Sequence, residues 1–243
     1  MISKQKLSNT LERMFSLHPK LIDFDLNRLR LLMNKFNNPQ ESLNNVIHMA
    51  GTNGKGSTSS FLKEILEAHN VSVNVYTSPH LIKFNERIRI NKKIISDHDL
   101  IDILEEIEIK NNNNPITFFE ITTAAAIIAF KRKPSDVNII ETGLGGRLDA
   151  TNIINNKKLC LITKISIDHI EYLGSKITDI ASEKAGIFRH NVPIRIAKQE
   201  EVVIKTLLDA AKKINARIIK SDQILNNKKL GLNGRHQYEN AST

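Results

Sequence analysis

The run Gly51-Thr-Asn-Gly-Lys-Gly-Ser-Thr58 concentrates more chemistry than any other stretch of the chain. Its glycines let backbone N–H groups close on an anion, and a helix starting directly after them adds its positive end. Lys55 supplies a full charge, and the hydroxyl of Ser57 or Thr58 can reach a Mg²⁺ held by phosphate oxygens. The order departs from the standard phosphate loop, because Gly56 separates Lys55 from Ser57. A glycine-rich turn before an ordinary helix is the plain alternative. Lysine, hydroxyls and a strand-then-helix setting together favour phosphate, and ATP as its source. Glu141 ends an apolar run, as does the acidic residue with which phosphate-loop proteins hold Mg²⁺. Gly143, Gly145 and Gly146 follow it and let the backbone approach a ligand. Ser78 and His169, the latter beside Asp168, each lie just past another apolar run. A carboxylate, a hydroxyl, waters and nucleotide oxygens make a shell for a hard cation. The competing readings are a solvated strand-end glutamate and a structural histidine.

These residues need elements to hold them. Val46–Ala50 reads as a buried strand, and Ser57–His69 as a helix with Phe61, Leu62, Ile65 and Leu66 on one face. Ahead of them, Lys4–Leu17 and Asp25–Phe36 have helical spacing, with Pro19 as the breaker between. Val71–Thr77 alternates as a strand, and Glu86–Ile90 reads as another. Ser96 caps a helix over Asp97–Lys110, with Asp99 placed for a capping box. Thr117–Glu120 opens a very apolar helix reaching Phe130, which predicts burial on nearly all sides. Strands at Val137–Glu141, Leu159–Ile165, Val192–Ala197 and Ala216–Ile219 alternate with helices at Thr178–Phe188 and Glu200–Ile214. Such alternation predicts an α/β fold with a doubly wound, mostly parallel sheet. Ligands of such sheets lie beyond the carboxyl ends of the strands, where every unusual motif falls.

Composition narrows the class. The chain has 243 residues, 40% hydrophobic and 25% charged, within the range of soluble globular proteins. No apolar run approaches a membrane span, and no secretory leader is visible, so a cytoplasmic setting is expected. Its single cysteine, Cys160, sits in an apolar run and reads as a small buried hydrophobe. The net charge of +9 raises nucleic-acid binding. Its lysines and arginines are scattered, however, and do not interleave with aromatics, so no nucleic-acid partner is expected.

Together, Ala50–Ser57, Thr77-Ser-Pro-His80, Glu141–Asn152, Asp168-His169 and Ser182–Phe188 closely resemble the folylpolyglutamate synthase/dihydrofolate synthase family, which belongs with the Mur-type amide ligases. The resemblance implies a phosphate loop made of Thr52, Asn53, Gly54, Lys55, Gly56 and Ser57, with Asn240 as a further ATP contact. It implies Mg²⁺ ligands at Ser78, Glu141, His169 and Lys184, the last carbamylated in that family, and catalytic roles for Lys55, His169 and Lys184. A pterin-side pocket would draw on Ile22–Asp25 with Asp23, on Thr117, Phe118, Phe119 and Glu120, and on Leu148, Asp149 and Ala150. The implied reaction uses ATP to phosphorylate the carboxylate of dihydropteroate or a reduced folate. The amine of L-glutamate then attacks the acyl phosphate. The expected organisation is a helical segment over 1–40, an ATP-binding α/β domain over 41–230, and a hinge over 231–243. Family members carry a second α/β domain beyond such a hinge. The expectation is therefore either a ligase, monomeric or needing a separate C-terminal domain, or an ATP- and pterin-binding remnant without turnover.

Overall fold

The computed structural model describes residues 2–17, 22–219 and 229–243. Pro19, the expected breaker, lies outside them. The core is a sheet of β1 (Val46–Ala50), β2 (Val73–Tyr76), β3 (Ile88–Ile90), β4 (Lys93–Ile94), β5 (Val137–Glu141), β6 (Lys157–Ile162), β7 (Ile194–Ile196) and β8 (Ile218–Ile219). Their spatial order is β4-β3-β2-β5-β1-β6-β7-β8. From β2 to β8 every neighbouring pair is parallel, and β3 and β4 add an antiparallel edge. The sheet is mostly parallel, as the alternation predicts. The strand expected at Glu86–Ile90 is present as Ile88–Ile90, after a 3-10 turn over Phe84–Arg87, but β4 was not foreseen, because Lys93–Ile94 is too short to carry a period.

The helices are α1 (Ile2–Phe15), α2 (Asn27–Asn34), α3 (Lys55–Ala68), α4 (Asp97–Asn111), α5 (Phe118–Arg132), α6 (Ile170–Leu173), α7 (Ile177–Ala185), α8 (Glu201–Lys213) and α9 (His236–Ser242). They clothe both faces, since successive side chains of a strand point to opposite sides. Ile47 and Met49 of β1 join Val73, Val75, Ile139 and Leu161 in a cluster that receives Leu62 and Leu66 of α3. On the opposite face Val46, Tyr76 and Ile140 merge with the apolar sides of α1, α2, α4 and α5. Ala50, Cys160, Ile162 and Ile194 pack under α7 and α8.

Helix α5 is buried continuously from Glu120 to Phe130, as its composition predicts. Helix α3 is less covered than its pattern predicts. Leu62 and Leu66 reach the sheet, but Ile65 is 53% exposed. The capping box expected at α4 is half made. Ser96 Oγ accepts the Asp99 N–H at 3.1 Å, while the Asp99 carboxylate pairs with Lys133 at 2.7 Å.

Candidate active site

The parallel strands bring Gly51, Thr77, Thr142 and Thr163 together at the carboxyl ends of four neighbouring strands, each following its strand directly. Gly54 caps α3 at φ +85°, a backbone that glycine adopts without strain. A Cβ there would also stand 2.2 Å from Asn240 Oδ1 and would require that side chain to move. The N–H groups of Thr52 and Asn53 donate to the Lys164 carbonyl at 2.9 and 3.0 Å, which pins the start of the loop to the segment after β6. The first N–H groups of α3, from Lys55 onward, lack intrahelical acceptors and point outward from the helix start. Asn240 comes from α9, whose main-chain carbonyl at that residue accepts the Thr58 hydroxyl at 3.2 Å. This bond occupies Thr58 and distinguishes it from Ser57, which sequence alone leaves equivalent.

Lys55 folds back over its own loop. Its Nζ donates to the carbonyls of Gly51 (3.0 Å) and Thr52 (3.3 Å) and stands 3.9 Å from Glu141 Oε1. Glu141 is 4% exposed, and burial pushes its carboxyl up to about 7 against the opposing pull of Lys55 and the Ser78 N–H. Lys184, also 4% exposed, donates to the Gly51 carbonyl at 2.9 Å. Burial, then the Lys55 charge, holds its amine down to about 8. Lys55, Ser78, Glu141 and Lys184 thus gather at the loop. His169 lies at the start of α6 with its ring half exposed and 3.6 Å from Asp168, and it shares a cavity wall with Ser78. Among the described residues none of its hydrogen bonds or ion pairs reaches Glu141, Lys55 or Lys184. No three histidine, cysteine, aspartate or glutamate side chains gather as a metal cluster among the described residues.

A cavity of about 370 Å³ opens beside this group, walled by Asp23, Ser78, Thr117, Phe119, Glu120, Leu148, Asp149, Ala150 and His169. Phe119 closes its floor so tightly that a Cβ on Gly143 would stand 2.3 Å from the ring. Phe118 points elsewhere. It stacks on Phe15 of α1 at 3.7 Å and meets Phe84 edge-on, because neighbouring residues at a helix start diverge around the axis. Among the residues expected at the pterin-side pocket, Phe118 packs against α1 and does not wall this cavity. Glu120 closes a capping box with Thr117, its Oε2 accepting the Thr117 N–H at 2.7 Å and Arg28 Nε at 3.2 Å. Its other oxygen, Oε1, is buried without a hydrogen-bond partner among the described residues.

Asp149 does more than line the wall. Its Oδ2 accepts the N–H groups of Gly143 (2.8 Å) and Leu144 (2.9 Å), and its Oδ1 accepts the N–H and hydroxyl of Thr151. The carboxylate thereby folds the glycine loop after β5 onto itself. His48 of β1 reaches the same Thr151 hydroxyl at 2.8 Å, tying the strand ahead of the phosphate loop to this second loop. The sequence reading missed this link, and Arg28 as well. A histidine inside an otherwise apolar strand and an arginine amid the leucines of α2 were the available signals.

Residues 49–242 match the family described as Mur ligase middle domain. Dihydrofolate synthase/folylpolyglutamate synthase of Haemophilus influenzae is 42% identical over 205 residues, which are 84% of this chain and 46% of that protein. The Escherichia coli protein of the same name is 37% identical, over 86% of this chain and 49% of its own length. Among solved structures, Mycobacterium tuberculosis folylpolyglutamate synthase complexed with ADP superposes with a TM-score of 0.88 at 33% identity, covering 99% of this chain and 60% of that one. E. coli FolC in complex with DHPP and ADP gives 0.86 at 33% identity, over 97% and 60%. The chain spans about half the length of the curated relatives it matches.

Proposed function

Since the chain belongs to the Mur ligase family, we propose that it acts in ATP-dependent addition of L-glutamate to dihydropteroate or to a reduced folate. The relatives' names and the ADP and DHPP of one solved structure supply the ligand classes. In this reading residues 41–230 form the nucleotide-binding domain, 1–40 a helical lead-in and 231–243 a hinge. The substrate carboxylate attacks the γ-phosphoryl group, the bond to ADP breaks, and an acyl phosphate results. The glutamate amine then attacks the acyl carbon, phosphate leaves, and the amine proton passes to solvent or base. Most of the catalysis is neutralisation of charge growing on the phosphoryl oxygens. The N–H groups at the start of α3 and Lys55 serve that purpose here.

The donors suit Mg²⁺. Glu141 is a buried carboxylate held up to about 7, and a hard cation would stabilise the ionised form that burial penalises. Glu141 and Ser78 would hold it, with His169 and a carbamylated Lys184 completing the set. Bound Mg²⁺ would offset phosphoryl charge and orient its oxygens. An amine held down to about 8 is partly neutral at physiological pH, and only the neutral amine adds CO₂ with loss of a proton. The free oxygen of Glu120 faces the need of a pterin, whose ring nitrogens and amine carry N–H donors. Apolar walls at Phe119 and Leu148 would cover the ring and exclude water.

The observation that carries the reading is the placement of Lys55 between its loop carbonyls and Glu141, with Lys184 fixed to the same loop. The test is nucleotide binding followed by incorporation of labelled glutamate into dihydropteroate and into tetrahydrofolate. MgATP should bind, and Lys55→Ala should weaken it by about tenfold or more, as loss of a charge-assisted contact does. Undiminished nucleotide binding in that variant would sink the assignment. Binding of both ligands without incorporation would identify the binding-only alternative. The buried free Cys160 accords with a reducing, cytoplasmic compartment. No helix among the described residues is long and apolar enough to cross a membrane.

A further inference from the structure

The ladder between β1 and β5 ends where the Thr142 N–H donates to the Met49 carbonyl at 2.9 Å. Beyond it the glycine loop leaves the sheet, and side chains set its course. Arg147 pins the outer part, its N–H donating to the Glu183 carbonyl at 2.9 Å. The inner N–H groups, those of Gly143 and Leu144, both go to Asp149 Oδ2. This inner part joins Glu141 to the floor of the apolar cavity, where Gly143 lies against the Phe119 ring.

We infer that His48 is a positioning residue for this loop: through Thr151 it fixes Asp149, and through Asp149 the backbone between Glu141 and the cavity floor. The hydrogen bonds give each atom one role. Asp149 accepts four of them, from the N–H groups of Gly143 and Leu144 and from the N–H and hydroxyl of Thr151. The Thr151 hydroxyl has a single proton and gives it to Asp149, so it accepts from His48 Nε2 at 2.8 Å. His48 therefore carries its proton on Nε2. Its Nδ1 is buried without a hydrogen-bond partner among the described residues, and a proton there would be a donor with no acceptor. Burial, then the charges of Lys157 and Arg189, hold the imidazole well below its ordinary value and keep it neutral. The ring is a fixed donor.

Strand geometry explains why the donor comes from β1. Ile47 and Met49 turn toward α3, and His48 between them points to the opposite face, where the 3-10 turn over Ala150–Ile153 brings Thr151. The same strand runs on into Gly51, whose carbonyl accepts both Lys55 and Lys184. One strand thus sets the phosphate loop from its end and the cavity loop from its middle. The catalytic meaning of this rests on the ligase reading, in which a carboxylate attached to the ring in the cavity must meet the γ-phosphoryl group on the phosphate loop. A misplacement of about 1 Å costs such a reaction about a hundredfold.

The test uses the full chain and four variants. His48→Phe keeps a ring without a donor, and His48→Gln offers an N–H at the reach of Nε2. Thr151→Val breaks the relay, and Thr151→Ser keeps its hydroxyl. In His48→Phe and Thr151→Val, amide exchange at Gly143 and Leu144 should quicken about fivefold relative to the amides of β1 and β5, as loss of one buried hydrogen bond implies. Pteroate should bind about fivefold more weakly, while MgATP affinity stays at the wild-type value. His48→Gln and Thr151→Ser should restore both readouts. Nitrogen NMR of the wild-type ring should show Nε2 protonated and Nδ1 bare. A proton on Nδ1, or exchange at the two amides that changes no more than in the strands, would overturn the inference. So would phenylalanine and glutamine variants alike in every readout, the mark of a histidine that only fills the core. Where circular dichroism shows that a His48 variant fails to fold, the wild-type tautomer and the two Thr151 variants decide. Failure of pteroate to bind the wild type would remove the ligase reading, and exchange and tautomer would still judge the placement by His48.

Discussion

A carboxyl group buried as deeply as that of Glu141 ionises only by giving up its hydration. Its ordinary value of 4.5 rises to about 7 in the folded chain. In the unfolded chain the group ionises near the lower value. Its contribution to stability is therefore complete below pH 4.5 and is lost as pH rises through about 7. The loss amounts to about 3 kcal/mol once both states are ionised. Bound Mg²⁺ would return much of it, because the cation favours the charged form. Urea unfolding without nucleotide should then show Mg²⁺ stabilising the chain at about pH 8 and hardly at all at about pH 5. Glu141→Gln should be more stable than the wild type at the higher pH and indifferent to Mg²⁺. Equal stabilisation at both pH values would remove Glu141 from the metal site.

The start of α5 shows how an element sorts neighbouring residues into different tasks. Phe118 stacks on Phe15 of α1, and Phe119 floors the apolar cavity. Phe118→Ala should destabilise the fold by about 2 kcal/mol, less than a fully buried phenylalanine, and leave pteroate affinity untouched. Phe119→Ala should weaken pteroate binding by about tenfold or more, since it opens the floor of the cavity. Melting curves and titrations on the same samples would expose an exchange of these roles. The sequence could not make this distinction, because a pair of aromatics at a helix start has no period from which to read direction. It was informative where a single interaction dominates. The mostly apolar β1, the glycine run and the Thr117–Glu120 cap each announce their element locally. Arg28, His48 and Asp149 were harder to read because their partners, Glu120, Thr151 and the glycine loop, are joined to them by tertiary structure. The placement of Lys184 on the loop and of His169 beside Asp168 is likewise set by how α7 and α6 pack.

At the scale of the molecule, alternation revealed a mostly parallel sheet, but it cannot rank the strands in space. The β4-β3-β2-β5-β1-β6-β7-β8 order is a product of packing both faces at once. That order has a consequence for the chain as it leaves the ribosome. The strand bearing the phosphate loop, β1, pairs with β5 and β6 and with neither of the strands made soon after it. Residues 46–50 are thus synthesised long before their partners at 137–141 and 157–162 exist. Until then a five-residue apolar strand has both edges open, the condition that invites pairing with other chains. A nascent chain arrested at residue 130 should be cut by protease within 46–60, and one carried past residue 200 should resist there. Equal protection in the two would mean that β1 finds shelter before its partners are made. The glycine loop after β1, early in the sequence, would then be among the last parts of the protein to take shape.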